Sequence, residues 1–247
     1  MSSRKLLPKS GPERPDAAYA SELRSFGRRR GRRLSARQQR LLDEVLPRLA
    51  IDIAAPPPET LAGLFAADVS EVWLEIGFGG GEHLLWQARA NPGAGIIGCE
   101  VFEDGVVKVL SAIEDDAVAN IRLCTGDARE LLRWLPAGSL RRVFILFPDP
   151  WPKKRHVKRR LINRALLDQL ARVMQAGAEL RIATDIGDYL RTILLAARGH
   201  PAFDWQAEAP QDWRLRGPDW PETRYEVKAN REGRTSCYLR FRRNGCP

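Results

Sequence analysis

Between residues 72 and 198 the chain repeats one pattern five times: a short apolar run of strand character, then a stretch with helical spacing. The strand-like runs fall at 72–76, 95–101, 121–125, 143–147 and 180–184. The helix-like runs fall at about 82–90, 103–118, 128–134, 159–175 and 187–198. Strands that read as continuous apolar runs are buried on both faces, and joining such strands in parallel needs a crossover, usually a helix. The expected fold is therefore α/β, a doubly wound and mostly parallel sheet. The tail at 236–243, SCYLRFRR, alternates and is expected to add an antiparallel edge strand.

Before the repeat lies a segment of different character. Residues 1–20 are rich in Pro, Ser and Arg without periodicity, a composition that favours mobility. SFGRRRGRRLSARQQRLLDEVLPRLAID then turns helical, with Ser35 as N-cap before Leu41, Leu42, Val45, Leu46 and Leu49. APPPET (55–60) reads as a linker, which divides the chain into a basic extension at 1–60 and a domain at 61–247. Residues 1–40 hold 12 Lys/Arg against 3 Asp/Glu, and the whole chain holds 40 against 31. The excess of the arm equals the net charge of +9, so the other 207 residues are balanced. A neutral body with a cationic arm suits a polyanionic partner, because clustered cations displace condensed counterions. The bland alternative is an arm that only aids solubility.

Other classes recede. No apolar run approaches the roughly 20 residues of a membrane helix, and the first residues lack a secretory apolar stretch, so a cytoplasmic protein without membrane attachment is expected. Cys99, Cys124, Cys237 and Cys246 form no C-x-x-C, and three scattered histidines complete no zinc set. No metal is expected.

VWLEIGFGGGEHLL (72–85) is strand, glycine turn, helix. Gly77, Gly79 and Gly81 let the backbone turn sharply and approach a ligand. In an open α/β sheet this turn lies at the carboxyl edge, where ligands bind. A dinucleotide fingerprint would want glycine at 82, and Glu82 stands there. Glu82 suits the helix dipole but repels a pyrophosphate, and Glu75 makes the same objection. A cofactor carrying an ammonium or sulfonium fits better. Glu100 closes the second strand where a carboxylate can accept from both hydroxyls of a ribose. Asp127 follows the third, either to accept from an adenine amino group or to cap the next helix. With Asp149 after the fourth, four acids stand at successive strand ends.

FPDPWPKKRHVKRR (147–160) places that last acid between prolines and follows it with six Lys/Arg in eight residues. A solvated charged loop is the bland reading. Cations at the start of the helix expected from 159 would oppose its dipole, a cost that phosphate binding explains. Trp151 reads as core cover more readily than as a platform for an extruded base.

RSFGRRRGR (24–32), LEIGFGGGEHL (74–84), GCEV (98–101), FPDPWPKKRHVKRR, ATDIGDY (183–189) and TRYE (223–226) together resemble the single-chain tRNA (guanine-N7)-methyltransferases of bacteria. These are class I S-adenosylmethionine-dependent methyltransferases, with a Rossmann-like sheet. The family usually reads Thr-Lys-Phe-Glu at the last motif, and here Arg224 keeps the charge and Tyr225 the ring. The resemblance implies methyl transfer from S-adenosyl-L-methionine to N7 of a guanine in the variable loop of tRNA, leaving S-adenosyl-L-homocysteine. It implies cofactor contacts from Glu75, Glu100, Asp127 and Asp149, with Asp149 catalytic. Substrate contacts would come from Lys153, Asp185, Thr223, Arg224, Tyr225 and Glu226. RNA contacts would come from Arg155, His156, Val157, Lys158, Arg159 and Arg160.

Three alternatives stand beside this reading. Methyltransferases of exocyclic amines carry similar parts in another order at this strand end. An RNA-binding module could keep the fold without the chemistry, though four intact acids argue against it. A nicotinamide dehydrogenase is disfavoured by Glu82. No obligate protein partner is implied, and monomer or homodimer stays open.

Overall fold

The computed structural model describes residue 31 and residues 33–246. The motif residues 24–30 and 32, and the segment expected to be mobile at 1–20, lie outside the described residues.

The five apolar runs form parallel strands β1 (Glu71–Ile76), β2 (Ala94–Cys99), β3 (Ile121–Cys124), β4 (Leu140–Leu146) and β5 (Met174–Thr184). Two more follow, β6 (Phe203–Trp205) and β7 (Cys237–Arg243). The sheet order is β3-β2-β1-β4-β5-β7-β6. β7 runs antiparallel to β5, as its alternation suggests. The three-residue β6 lies outside it, also antiparallel, and is too short to show a period in sequence. β5 begins six residues earlier than its apolar run because Gln175, Ala176 and Gly177 are exposed and carry no pattern.

The helices are α1 (Ala36–Arg40), α2 (Leu46–Leu49), α3 (Glu82–Ala90), α4 (Glu103–Asp116), α5 (Ala128–Trp134), α6 (Arg164–Val173), α7 (Gly187–Arg198), α8 (Gln211–Arg214) and α9 (Arg224–Arg231). They cover the two faces of the sheet, giving two buried clusters. Val72, Leu74 and Ile76 of β1 pack with α5, α6 and α7, while Trp73 packs with α3 and α4. β4 alternates likewise, Val143 and Ile145 against Phe144. Complete burial of a side chain such as Phe144 contributes roughly 1.5–3 kcal/mol.

Ser35 caps α1 in a reciprocal capping box with Gln38. The helix expected there does not run unbroken: Leu41–Val45 is a π-helical turn, where the Leu46 N–H reaches back to Leu41 O. Pro47 explains it, since proline lacks an N–H and its ring crowds the carbonyl four residues back. Leu41 and Val45 are buried on α4, and Arg37 and Arg40 pair with Asp115 and Glu114 at 2.7 Å each. Just beyond, the Ile51 N–H donates to Leu123 O at 2.8 Å, stitching this segment to the outer edge of β3.

Candidate active site

All five parallel strands end on one edge, so the order of the sheet sets the order of the residues that follow them. Across that edge stand Asp127 beyond β3, Glu100 beyond β2, the glycine turn beyond β1, Asp149 beyond β4 and Asp185 beyond β5. The chain reverses direction of winding between β1 and β4, which opens a crevice between the glycine turn and the FPDPW loop.

The glycine turn is built from left-handed residues, with φ of 75° at Gly77, 55° at Gly79 and 81° at Gly81. A Cβ at Gly81 would stand 2.2 Å from Val109 Cγ2, so glycine there lets α3 pack on α4. At Gly77 nothing lies within 4 Å of a Cβ position, leaving the turn open to a ligand. The Gly79 N–H donates to Glu100 Oε2 at 2.8 Å, and the other oxygen of Glu100 accepts from the Val101 and Phe102 amides at 2.8 and 2.9 Å. Those three bonds leave about one of the four lone-pair positions of the carboxylate unfilled.

Asp127 caps α5, accepting from the Arg129 amide at 2.9 Å and from its guanidinium at 2.9 and 2.7 Å. Burial works to raise this carboxyl, but the Arg129 bonds and charge outweigh it and hold it below the ordinary value. The helix-capping role weighed from sequence is therefore present. Glu75 is buried, with Oε2 2.7 Å from His83 Nδ1. Gln87 Nε2 lies 3.1 Å from His83 Nε2 and donates to Asp219 O at 2.9 Å, while Gln87 Oε1 accepts from Asn91. The amide orientation is thus fixed, so His83 accepts at Nε2 and donates from Nδ1 to Glu75. Glu75 sits beneath the turn as the end of a buried chain of polar groups.

The FPDPW loop departs from β4 through strained backbone. Phe147 and Trp151 have φ of 51° and 43°, a region that bulky residues rarely adopt. Asp149 between them is exposed and, among the described residues, makes no hydrogen bond or ion pair. Desolvation by the surrounding loop pushes its carboxyl above the ordinary value.

The basic block divides. Lys154–Arg159 forms a separate 3-10 helix, and α6 starts only at Arg164 behind its cap Asn163. The cations therefore do not sit on the N-terminus of α6, and the dipole argument made from sequence does not apply to them. Lys153, Lys154, Arg155 and Lys158 are exposed, whereas His156, Val157 and Arg159 are half-buried. His156 meets Trp151 edge-on at 5.8 Å, and the Arg159 guanidinium lies 5.0 Å from the same ring. Half-buried Trp151 is thus a bed for the block. Burial, then the charges of Arg159, Arg155 and Lys153, lower the His156 imidazole and favour its neutral form. Arg160 turns inward. Its guanidinium is buried and donates to Pro150 O at 2.9 Å, Thr192 Oγ1 at 2.6 Å and Asp188 Oδ2 at 2.5 Å. In this position it holds the FPDPW loop with its guanidinium buried, where an RNA contact was expected.

TRYE arrives from far along the chain. Thr223 caps α9 by accepting from the Glu226 amide at 3.4 Å. Arg224 pairs with Glu82 at 3.4 Å, and the Tyr225 ring lies so close that a Cβ at Gly79 would stand 3.0 Å from it. Tyr225 also faces Phe147, ring centroids 6.4 Å apart and planes inclined by 19°. Glu226 is buried and accepts from Arg216 at 3.1 Å, and Asp185 accepts from Arg234 at 2.6 Å. Tyr225 thus touches both the glycine turn and Phe147, and Arg224 reaches Glu82. His83, Arg216 and Arg234 were not singled out from sequence. His83 carries a weak signal, a histidine eight residues after an acid that ends a strand. Arg216 and Arg234 carry none.

Residues 70–239 match a family model described as a putative methyltransferase. Curated relatives called tRNA (guanine-N(7)-)-methyltransferase include one from Rhodospirillum rubrum, 52% identical over 94% of this chain and 91% of that protein. Another from Chelativorans sp. is 48% identical over 93% of this chain and 97% of its own length. A third, from Rhodopseudomonas palustris, is 49% identical over 88% of this chain and 85% of its own.

Proposed function

The chain belongs to the tRNA (guanine-N(7)-)-methyltransferase family, and from that premise we propose that it methylates N7 of a guanine in the variable loop of tRNA, drawing on S-adenosyl-L-methionine. The observation that carries this reading is Asp149 at the switch point, without a hydrogen-bond or ion-pair partner among the described residues, with an open glycine turn after the neighbouring strand and exposed cations following it.

The residues present fit such a cofactor. The open face at Gly77 admits its methionine end, the remaining capacity of Glu100 suits a ribose hydroxyl, and the anionic row favours a sulfonium over a pyrophosphate. When bound, S-adenosyl-L-methionine supplies an electrophilic methyl group. Guanine N7 carries an in-plane lone pair and no proton, so no base is needed. On accepting that methyl group through its lone pair, with the electron pair of the old bond left on sulfur, the base would gain one positive charge. Asp149 then serves to accept from the N–H edge of the guanine and to stabilise the growing charge, an electrostatic role. Holding N7 in line with the breaking bond supplies much of the remaining acceleration. Lys153, Lys154, Arg155 and Lys158 take phosphates that deliver the base.

No helix among the described residues is long and apolar enough to cross a membrane. With tRNA as substrate, we place the protein in the cytoplasm. The decisive experiment incubates it with unmodified tRNA and methyl-labelled cofactor, then cleaves the RNA chemically at 7-methylguanosine. Label released at a variable-loop guanine supports the proposal. Label on an exocyclic amine, or tRNA binding with no transfer at all, sinks it.

A further inference from the structure

Phe147 follows β4 and Tyr225 lies in the first turn of α9, 78 residues later, and the two rings face each other. Their planes are inclined by only 19°, and their centroids stand 6.4 Å apart. That separation lies near the upper end for two rings in direct contact. A planar base entering between them would have to part the two rings.

Each ring is held for this purpose by something other than its partner. Phe147 is aimed by left-handed backbone and packs against Ala183, Trp220 and Tyr238. Tyr225 is 43% exposed, and its edge lies against Gly79, where a Cβ would crowd it at 3.0 Å. The ring pair therefore reaches from Gly79, against the edge of Tyr225, to Phe147, two residues before Asp149.

Resting on the function proposed above, we propose that Phe147 and Tyr225 are the jaws of a slot that takes the target guanine face-on, and that the slot holds the methylated, cationic base more tightly than the neutral one. Stacking on both faces fixes the ring plane, so that rotation within it brings N7 towards the glycine turn. Alkylation gives the ring a full positive charge, and aromatic faces attract a cation. The same attraction grows along the reaction, so the slot favours the transition state over the bound substrate. Phe147 was not among the residues expected to touch substrate. For Tyr225 the inference supplies the kind of contact.

The test compares binding of one tRNA transcript before and after complete methylation, with S-adenosyl-L-homocysteine present. The wild type should prefer the methylated transcript several-fold. Phe147→Leu and Tyr225→Leu should each bring that preference close to one and lower kcat about tenfold, the scale of a missing base stack. Tyr225→Phe and Phe147→Trp, which keep the faces, should retain both. Binding of S-adenosyl-L-homocysteine and an unchanged unfolding midpoint identify variants that have folded. Equal affinity of the wild type for both transcripts overturns the charge preference. Leucine variants with wild-type kcat and preference overturn the slot. Absence of N7 methylation by the wild type is a separate result that removes the underlying function.

Discussion

Asp149 stands three residues beyond β4 without hydrogen bond or ion pair among the described residues, and desolvation raises its carboxyl above the ordinary value. Ionising it therefore disfavours folding, so the stability linked to this group is present at low pH and lost as pH rises through its folded value. Under the proposed function this carboxylate faces the base. Asp149→Ala should lower kcat on the order of 10²–10³-fold, the scale of a removed electrostatic stabiliser, while tRNA affinity changes little. Equal losses in both would assign it to binding alone. Activity should fall on the acid side at a higher pH than an ordinary aspartate would give, and Asp149→Asn should abolish that limb of the profile. His83 presents the opposite case, a fully partnered buried group. His83→Leu leaves the Glu75 carboxylate buried without its partner and should cost about 1–3 kcal/mol in urea unfolding. The cost should shrink in the double variant with Glu75→Leu, since removing both partners removes the orphaned group. An additive double variant would show the two are uncoupled.

At the scale of elements, the FPDPW loop and its basic block separate what is readable in sequence from what is not. Local pattern places β4 and the acid beyond it, because a continuous apolar run bounded by prolines has few other outcomes. It places α3, α5 and α7 to the residue as well, each beginning straight after a strand-end turn. The same reasoning starts α6 too early, because Lys and Arg are good helix formers and nothing local reveals that Arg160 is turned inward. Its partners Asp188 and Thr192 lie 28 and 32 residues away. Arg216 and Arg234 elude sequence for a similar reason: each has meaning only beside Glu226 or Asp185. Two variants separate these roles. Arg160→Ala should lower the unfolding midpoint and loosen Pro150, leaving the salt dependence of tRNA binding unaltered. Lys154→Ala with Lys158→Ala should do the reverse, keeping stability and reducing the slope of log affinity against log salt by about 0.7–0.9 for each phosphate no longer neutralised. A shallower slope for Arg160→Ala would return that residue to the RNA surface.

For the whole molecule, the distribution of charge matters more than the fold, which many chemistries share. The acids of the crevice are arranged by the sheet, one per strand end, and would by themselves repel a polynucleotide. The exposed cations beyond β4 answer that repulsion locally, and the arm before residue 31 adds charge that the balanced body lacks. At Gly31 a Cβ would stand 2.0 Å from Asp104 Oδ2, in the first turn of α4, and a Cβ at the neighbouring Gly105 would stand 2.1 Å from Gly79 O, so Gly31 lies beside the glycine turn. A chain lacking residues 1–30 should bind S-adenosyl-L-homocysteine as the full chain does, since every side chain of the acidic row remains. Its tRNA affinity should fall at low salt and converge on that of the full chain as salt rises, with a shallower slope. Parallel slopes for the two chains would mean that the arm releases no counterions, and the body alone would then have to account for RNA capture.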